Sequence, residues 1–373
     1  MRNTLARRLA VVAVATAATA VTTLASAQAS VHPASRDVAG TQLVRTTLTS
    51  RWGSAQAWLE HIDLTDRRLH IEPVLAHNIV DGLHETVPAM AQRTRAVVGI
   101  NGDFWNWAYD DGPPLRGLWI SGHMYKTPGY PTSANFYTTT DGAAHIGKVN
   151  VFTTMSWRTA SGAARNSSVF SMNNYDDMLR GRLVVVTSDM ATFSLPRCTV
   201  ASLASTTRGW KVTGVQTRVR ALARRTSTQR ALVACRTPMP LAAGERIQWA
   251  QRSTVTGIDA LVSGGGQLIR NGRAFRDQYS QLPTNDFNPM TFACVSRDSR
   301  HVTLGVVDGR RSTSIGTTPA LLTTYLLKLG GCWNAMSFDG GASTTMYARG
   351  TVQNKPSNGY PRPVADGLFV YRS

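Results

Sequence analysis

The sequence lacks most of the short motifs by which enzymes are identified. It contains no GxxxxGK[ST] phosphate loop, no HExxH zinc motif and no GxSxG nucleophile turn. These absences argue against a P-loop nucleotidase, a HExxH metalloprotease and an α/β-hydrolase esterase. The glycine run at 264–266 lacks the GxGxxG spacing of a dinucleotide site. None of the common nucleotide, zinc or serine-hydrolase classes is therefore indicated.

Lysine and glutamate are also scarce. Only five of the 40 basic residues are Lys, and only four of the 22 acidic residues are Glu, so carboxylate chemistry would fall mainly to aspartate. The net charge of +18 has a local concentration, because nine Lys or Arg and no Asp or Glu lie between residues 197 and 236. This stretch is either a solvated basic face or a contact surface for an anionic polymer.

Long apolar runs are missing except near the N-terminus, where basic residues precede an apolar stretch over residues 9–24 and small residues follow it. This layout predicts a secretory signal peptide over residues 1–29, with an uncleaved anchor as the alternative. Residues 30–40 are polar and are expected to form a flexible leader. We therefore expect a secreted, extracellular protein with no transmembrane segment in the mature chain.

Cysteine is rare as well, with only Cys198, Cys235, Cys294 and Cys332. No pair has CxxC spacing, so a zinc site is not indicated. Four cysteines allow three disulfide connectivities. We favour Cys198–Cys235 and Cys294–Cys332, because each pair lies within one local region and export permits disulfides. Free buried thiols are the alternative.

What the sequence does contain, from Thr41 onward, is a series of short apolar or β-branched runs separated by turns. This pattern is typical of strands, and residues 69–75 alternate as a strand would. Two helices are predicted where Thr86 and Thr318 can cap a turn that has Pro near its start. The second helix has apolar residues at the helical period and ends at Gly330.

Several Asp and Asn side chains lie in glycine-containing turns at the ends of predicted strands. These are Asn101, Asp103, Asp308 and Asp339, and Arg362 lies near the C-terminus. A carboxylate can stabilise an oxocarbenium-like centre or activate water, and Arg pairs with phosphate or carboxylate. Taken singly, each Asp-Gly is more often a plain turn. Together, after apolar strands, they suggest chemistry at a sugar carbon.

The order of these segments resembles that of the phosphodiester glycosidase family. The similar segments cover nearly all of the expected mature chain, and they include VVGINGDFW (97–105), PLRGLWISG (114–122), IDALVSGGGQLIRNG (258–272), NPMTFACV (288–295), VTLGVVDGR (302–310), MSFDGGAST (336–344) and PRPVADGLFV (361–370). The chain departs from the family pattern at Met290, where the family has Arg, at residues 342–344 of the DGG loop, and at Pro361, where the family has Glu. Methionine cannot replace a guanidinium as a phosphate partner, so the first departure bears on the substrate.

The resemblance implies a single α+β domain over residues 41–373, with a β-rich core, a few helices and glycine-rich loops that converge on one cleft. It implies hydrolysis of a glycosidic bond, and the favoured substrate is a sugar-1-phosphodiester of a cell-wall or exopolysaccharide polymer. Asp339 would be the nucleophile or base near the anomeric carbon. Asp308 is either a second catalytic carboxylate or a turn residue. No cofactor is predicted, and no metal ligand is assigned.

The other candidate residues would bind the substrate. Arg362 would bind the anionic leaving group or a sugar hydroxyl, and Asn101 and Asp103 would hold the sugar. The remaining members of the predicted binding set are Thr291, Gly340, Gly341 and Ser343.

Three alternatives stay open from the sequence. Met290 favours a glycosidase of a neutral polysaccharide, and the altered DGG loop favours a non-catalytic glycan-binding wall protein. A nucleic-acid binder rests on charge alone, and we expect no specific nucleic-acid partner. The expected partner is a carbohydrate or phosphoglycan, including an anionic cell-wall polymer.

Overall fold

The computed structural model describes residues 31–33, 38–105, 112–128, 134–275 and 286–373. The predicted signal peptide, residues 1–29, lies outside these described residues. Within them, no helix combines the length and the apolar character needed to cross a membrane.

The described residues form mainly β-structure, as predicted. The three α-helices are α1 (Val87–Thr94), α2 (Tyr175–Leu179) and α3 (Pro319–Leu329), and 3₁₀ turns cover Ala76–Asn78 and Gly341–Ser343. The strands, in chain order, are β1 (Val31–Pro33), β2 (Thr41–Ser50), β3 (Gly53–Asp63), β4 (Leu69–Leu75), β5 (Val98–Asn101), β6 (Leu118–Ile120), β7 (His123–Lys126), β8 (Asn135–Thr139), β9 (Ala144–Gly147), β10 (Val151–Arg158), β11 (Ala164–Val169), β12 (Ser171–Met172), β13 (Val184–Val186), β14 (Phe193–Thr206), β15 (Gly209–Leu222), β16 (Gln229–Ala234), β17 (Arg246–Ser253), β18 (Ile258–Ser263), β19 (Gly266–Arg270), β20 (Arg273–Ala274), β21 (Met290–Val295), β22 (His301–Val307), β23 (Asn334–Ser337), β24 (Met346–Ala348), β25 (Thr351–Val352) and β26 (Asp366–Arg372).

These strands are arranged in four sheets. The first sheet has the order β1-β2-β3-β22-β21-β23-β19-β20, and the second has the order β11-β10-β17-β15-β14-β16-β13-β12. The third is β7-β6-β18-β8-β9, and the fourth is β25-β24-β5-β26-β4. One apolar cluster joins all four, with Trp58, Val200, Phe136 and Ile100 as a member from each sheet in turn. Burial of this shared cluster stabilises the sheets against one another.

Both predicted helices are confirmed, together with their caps. The Thr86 hydroxyl accepts a hydrogen bond from the Ala89 amide at the start of α1. The Thr318 hydroxyl accepts one from the Leu321 amide at the start of α3, and the helix ends before Gly330. The apolar face of α3 packs with the first sheet through Leu322, Tyr325 and Leu326. This packing holds the N-terminus of α3 at the edge of the candidate site.

Part of the predicted flexible leader is not loose chain. Residues 31–33 form β1, which pairs antiparallel with β2 so that Val31 lies opposite Thr46. Pairing with a strand of the first sheet satisfies backbone donors and acceptors that a solvated leader would leave to water. Residues 34–37 lie outside the described residues.

Both favoured disulfides are present in the structure. Cys198 is bonded to Cys235 and Cys294 to Cys332, and they close loops of 37 and 38 residues in sequence separation. The first bond lies within the second sheet, and the second bond ties β21 to the segment that precedes β23. In the chain-entropy account, each loop of this length stabilises the fold by up to about 4 kcal/mol.

We expect the unreduced protein to have a mass about 4 Da below that of the tetrathiol form, because each bridge removes two hydrogens. Peptide mapping should link Cys198 to Cys235 and Cys294 to Cys332. Four thiols that react with an alkylating reagent in the native protein would contradict this pairing.

Candidate active site

A cavity of about 190 Å³ opens where loops from the first and fourth sheets meet. Among the described residues, its lining brings together the loop after β23, the segment before β21, the turn after β22, the start of α3 and the segment before β26. The lining residues are Phe104, Asp286, Asn288, Pro289, Met290, Arg310, Thr317, Pro319, Asp339, Gly340, Gly341, Ala342 and Arg362. Asp339, Gly340, Gly341 and Arg362 were predicted from the sequence, and Arg310 and Asp286 were not.

Asp339 reaches this cavity because hydrogen bonds hold its backbone on both sides. Its amide donates to the Gly102 carbonyl at 3.0 Å. Its own carbonyl accepts from the Asn101 side-chain amide at 2.8 Å. One residue earlier, the Phe338 amide donates to the carbonyl of Thr291. The end of β23 is therefore anchored to β5 and to β21, and the side chain that follows has a defined position.

The Asp339 carboxylate is nearly dehydrated, with 4% of the residue exposed. Its Oδ2 atom has no hydrogen-bond partner among the described residues. Burial raises the pKa of Asp339 to about 7, although the charge of Arg362 offsets part of the effect. A carboxylate whose pKa lies near neutrality can be ionised and still remain basic enough to accept a proton.

Asn101 and Thr291 lie behind the loop and not in the described lining of the cavity. Both are fully buried. The Asn101 Oδ1 atom accepts from the Thr291 hydroxyl at 2.7 Å and from the Thr345 amide at 3.2 Å. The polar groups of Asn101 and Thr291 are therefore hydrogen-bonded to other groups of the protein. That Asn101 holds the sugar and Thr291 binds substrate stays a prediction; in the described structure Asn101 bonds to the Asp339 carbonyl and Thr291 bonds to Asn101.

Asp103 is also buried behind the cavity, in a cluster that the sequence did not indicate. Its carboxylate accepts from the Arg116 guanidinium at 3.1 Å and from the Arg116 amide at 2.7 Å. Its own amide donates to Oδ1 of Asp366 at 2.7 Å. Burial raises the pKa of Asp103 and of Asp366, and the charge of Asp103 raises the pKa of Asp366 further. The sugar-binding role predicted for Asp103 stays a prediction; in the described structure Asp103 is hydrogen-bonded to Arg116 and Asp366.

Lys126 belongs to the same buried region. Its ammonium donates to the Pro114 carbonyl at 2.6 Å, and burial lowers its pKa to about 8. The charges of Asp103 and Asp366 favour its protonated form. The positive charges of Arg116 and Lys126 therefore lie in the same buried region as the carboxyl groups of Asp103 and Asp366. Buried charges need such partners because they have lost their contact with water.

Gly102 is required for this arrangement by close approach. A Cβ atom at residue 102 would lie 2.3 Å from Asp366 Oδ1 and 3.3 Å from the Gly367 Cα. Gly102→Ala is therefore expected to displace the Asp366 carboxylate and, with it, the carbonyl that holds the Asp339 amide. We expect a loss of about 1–3 kcal/mol in the free energy of unfolding, as for other overpacked sites.

Gly147→Ala is the matched control, because a Cβ atom there would meet nothing within 4 Å and Gly147 lies at the end of strand β9, as Gly102 lies directly after β5. Denaturant unfolding of the two variants checks the expectation. Equal stability of Gly102→Ala and Gly147→Ala would show that the Asp366 side chain can move aside at little cost.

Asp308 does not line the cavity in the described part of the chain. Its carboxylate accepts from the Lys355 amide at 3.0 and 3.1 Å and from the Asn354 side chain at 3.0 Å. Its amide donates to the Gln56 carbonyl. Of the two roles left open for Asp308, these contacts favour the turn residue that anchors neighbouring loops. Ser343 is likewise buried below the loop and is absent from the described lining.

Two guanidinium groups line the cavity with Asp339. The Nε and Nη2 atoms of Arg310 donate to Asn288 Oδ1 at 3.2 and 2.9 Å, which holds the side chain across the opening. Gly341 makes room for it, because a Cβ atom at residue 341 would lie 3.1 Å from Arg310 Nη2. Arg362 lies over the Trp105 ring at 4.4 Å and favours the ionised form of Asp339. A buried carboxylate that shares a cavity with two arginines can act on a substrate that carries a negative charge.

No metal centre is indicated in the described part of the chain, where no group of three or more His, Cys, Asp or Glu is placed to hold an ion.

Three solved structures share this fold. A hypothetical protein of Synechocystis matches with a TM-score of 0.78 at 17% identity, over 92% of this chain and 64% of that one. A Burkholderia pseudomallei protein described as exported matches with a TM-score of 0.65 at 18% identity, over 85% of this chain and 74% of that one. The chain thus spans less than two thirds of the Synechocystis protein.

The third structure is the catalytic domain of zebrafish N-acetylglucosamine-1-phosphodiester alpha-N-acetylglucosaminidase, auto-inhibited by its pro-peptide. It matches with a TM-score of 0.51 at 13% identity, over 92% of this chain and 88% of that one. No curated protein matches the sequence.

The sequence of residues 200–371 matches the phosphodiester glycosidase family. The match begins in β14 and ends in β26, so it includes Arg310, Asp339, Arg362 and Asp366. Over residues 200–371 the resemblance stated from the sequence is confirmed, and this part of the chain carries the pattern of the phosphodiester glycosidases. The similar segments at residues 97–105 and 114–122 lie outside the match.

Proposed function

We propose that this protein hydrolyses a glycosidic bond whose leaving group is a phosphate, as in a sugar-1-phosphodiester. The proposal is supported most directly by one observation: Asp339, with its pKa raised by burial, lies in the same cavity as Arg310 and Arg362. The family match over residues 200–371 points to the same bond type.

In this proposal each group has a separate task. The Asp339 carboxylate acts at the anomeric carbon, either as nucleophile or as the base that takes a proton from the attacking water. As the bond from that carbon to the phosphate oxygen breaks, its electron pair leaves with the phosphate and a new bond forms to the Asp339 oxygen or to the water oxygen. In the first case a water molecule then hydrolyses the glycosyl–Asp339 ester and frees the carboxylate. Because phosphate is a stable anion, its oxygen needs little protonation, and Arg310 and Arg362 stabilise the charge that develops on it. Asp286 supplies a second carboxylate in the lining.

The extracellular location is part of the proposal. Two disulfides suit an oxidising compartment, and an exported protein shares the fold. The substrate would then be a glycan outside the cell, such as a phosphoglycan of the cell wall.

The test is a product screen with the purified mature protein. Sugar-1-phosphodiesters and neutral aryl glycosides of the same sugars are incubated with protein, and the released sugar is quantified. We expect turnover of at least one phosphodiester and much slower turnover of its neutral counterpart. Met290 in the lining keeps the neutral polysaccharide as the second candidate, and preferential turnover of neutral glycosides would select it.

The pH profile gives a further prediction. If ionised Asp339 is the active form, kcat/KM should rise with pH and reach a plateau. The midpoint of this acidic limb should lie near pH 7, where the carboxyl group of the free enzyme titrates. Arg362→Met should move this limb to higher pH, because the charge of Arg362 lowers the pKa of Asp339. Arg311→Met is the control, since Arg311 lies outside the described lining and donates to the carbonyls of Lys355 and Pro356. A rate that falls through pH 7 would make the protonated carboxyl group the active form.

A further inference from the structure

A second opening, larger than the cavity at Asp339, lies at one end of the second sheet. We call it the arginine groove. It has a volume of about 750 Å³ and lies between the β10–β11 turn, the β14–β15 turn and the segment before β17. Its lining includes four exposed arginines, namely Arg158, Arg165, Arg208 and Arg246. It shares no lining residue with the cavity at Asp339.

The charge of the arginine groove is largely uncompensated. None of its four arginines forms an ion pair with another described residue. Among the described residues, Glu245 is the one carboxylate in the lining, and its Oε2 atom accepts from the Ala242 amide at 2.8 Å. Four positive charges against one negative charge that is already hydrogen-bonded make the groove a site for an anion.

The walls of the groove are held by internal hydrogen bonds. The Arg158 guanidinium donates to the Gly162 carbonyl at 2.9 Å, and the Gln248 side chain donates to the Arg208 carbonyl at 2.7 Å. Gly209 lies so close to β17 that a Cβ atom there would be 2.6 Å from the Ile247 carbonyl. The turns that carry the arginines therefore have a defined arrangement before any ligand binds, which lowers the entropic cost of binding.

We propose that the arginine groove binds a polyanionic chain through several consecutive phosphates, separately from the cavity at Asp339. Guanidinium groups pair with phosphate oxygens in a fork geometry, and four of them spread around this volume suit a repeating charge more than one small anion. The same groove would hold a substrate polymer near the enzyme and raise the local concentration of its sugar phosphodiester bonds at Asp339.

The chemistry of the lining favours a phosphoglycan over a nucleic acid. Proteins that bind single-stranded nucleic acids combine basic grooves with exposed aromatic faces on which bases stack. The aromatic residue of this lining is Trp157, which is only 7% exposed. A chain of phosphodiesters without bases uses the guanidinium groups and needs no stacking surface. This choice of glycan rests on the proposed function, whereas the existence of an anion site does not.

The nine basic residues between 197 and 236 supply only part of the positive charge of the arginine groove. One of them, Arg208, lines the groove, while others such as Arg218 and Arg220 are exposed along β15. The main concentration of charge in the groove instead comes from strands that are distant in sequence, β10, β11 and β17. The linear count between residues 197 and 236 could not reveal it.

The test uses the full mature protein and a fluorescent poly(glycerol phosphate) chain as probe. A groove variant changes all four arginines to Ala (Arg158→Ala, Arg165→Ala, Arg208→Ala and Arg246→Ala). A control variant removes the same number of charges from other exposed positions (Arg51→Ala, Arg67→Ala, Arg273→Ala and Arg297→Ala). Affinity is measured as a function of salt for the two variants and the wild type.

We expect the groove variant to bind the chain about 10- to 100-fold more weakly at low salt and the control to stay near wild type. Each lost phosphate contact should also reduce the slope of log affinity against log salt by about 0.7, as for a flexible single strand. Turnover of a small sugar phosphodiester should be unchanged in both variants.

Two results would overturn the proposal. Equal weakening in the groove variant and the control would reduce it to an effect of net charge. Tighter, groove-dependent binding of a single-stranded oligonucleotide with the same number of phosphates would assign the groove to nucleic acid. If the screen finds no substrate but the groove variant alone loses poly(glycerol phosphate), the proposed hydrolysis fails and the polyanion site stands.

Discussion

Asp339→Asn is expected to lower kcat by about 10³-fold or more while the fold stays intact, as happens when an essential catalytic group is removed. Asparagine keeps the size of the side chain but cannot act as a nucleophile or accept a proton. The Asp339 backbone bonds to Gly102 and Asn101 do not involve the carboxylate, so they persist in the variant. Turnover of the substrate found in the screen, compared at saturating concentration, measures the effect.

Asp339→Asn should make the protein more stable while it lowers kcat. The pKa of Asp339 is raised from 3.8 to about 7 by burial, so between these values the native state binds more protons than the unfolded chain. Stability contributed by this residue therefore falls as pH rises through that window. Asparagine does not ionise, and we expect Asp339→Asn to have a higher free energy of unfolding than wild type above pH 7. Higher stability with lower activity is the mark of a group kept for function.

Asp308→Asn is the matched comparison. Asn354 and the Lys355 amide both donate to Oδ1, which the asparagine oxygen can replace. The new NH2 group would take the place of Oδ2, 3.1 Å from the Lys355 amide, so there a donor would face a donor. We expect this variant to lose stability, by about 1–3 kcal/mol for a buried polar group left unsatisfied, and to retain wild-type kcat. The opposite outcome, full turnover in Asp339→Asn and none in Asp308→Asn, would transfer the catalytic role to Asp308.

Arg310→Met should lower kcat/KM for a sugar-1-phosphodiester by about 100-fold, the size expected for a hydrogen bond to a charged group. The side chain retains its bulk but loses the donors that would meet the phosphate. Arg362→Lys should have a smaller effect that falls mainly on KM, because lysine keeps the charge and loses the fork.

A neutral aryl glycoside of the same sugar is the substrate control for Arg310→Met, since it carries no phosphate for the guanidinium to bind. Arg311→Met is the protein control, because Arg311 is the next residue and faces the 355–356 backbone. Equal losses of kcat/KM on the charged and neutral substrates would mean that Arg310 supports the loop that contains Gly341 and does not bind the phosphate.

The features that the sequence could predict are those that depend on near neighbours. The Thr86 and Thr318 caps act within one helical turn, and strand β4 matches the predicted range because its alternation is local. Asp339 was placed correctly at the end of a buried strand, since a strand followed by two glycines is a local pattern.

The rest of the site depends on contacts between distant residues. Asp366 touches the Asp103 amide across 263 positions, and Asn101 holds the Asp339 carbonyl across 238. Whether an Asn in a turn faces a sugar or a backbone carbonyl is decided by such pairings, and no local pattern reports them. Arg310 was passed over for the same reason, because its neighbour Gly341 lies in a different loop.

The pairing of β5 with β26 has a consequence for the order in which the candidate site assembles. Residues 98–101 are paired with residues 367–370, and the Asp366 carboxylate beside them holds the Asp103 amide. A chain that emerges N-terminus first from a ribosome or a translocation channel exposes β5 long before β26 is present. Contacts at such separation form slowly and late in folding. The contacts that support Asp339 would therefore be completed only after residues 366–372 have emerged, so the candidate site of a nascent chain stays unassembled until then.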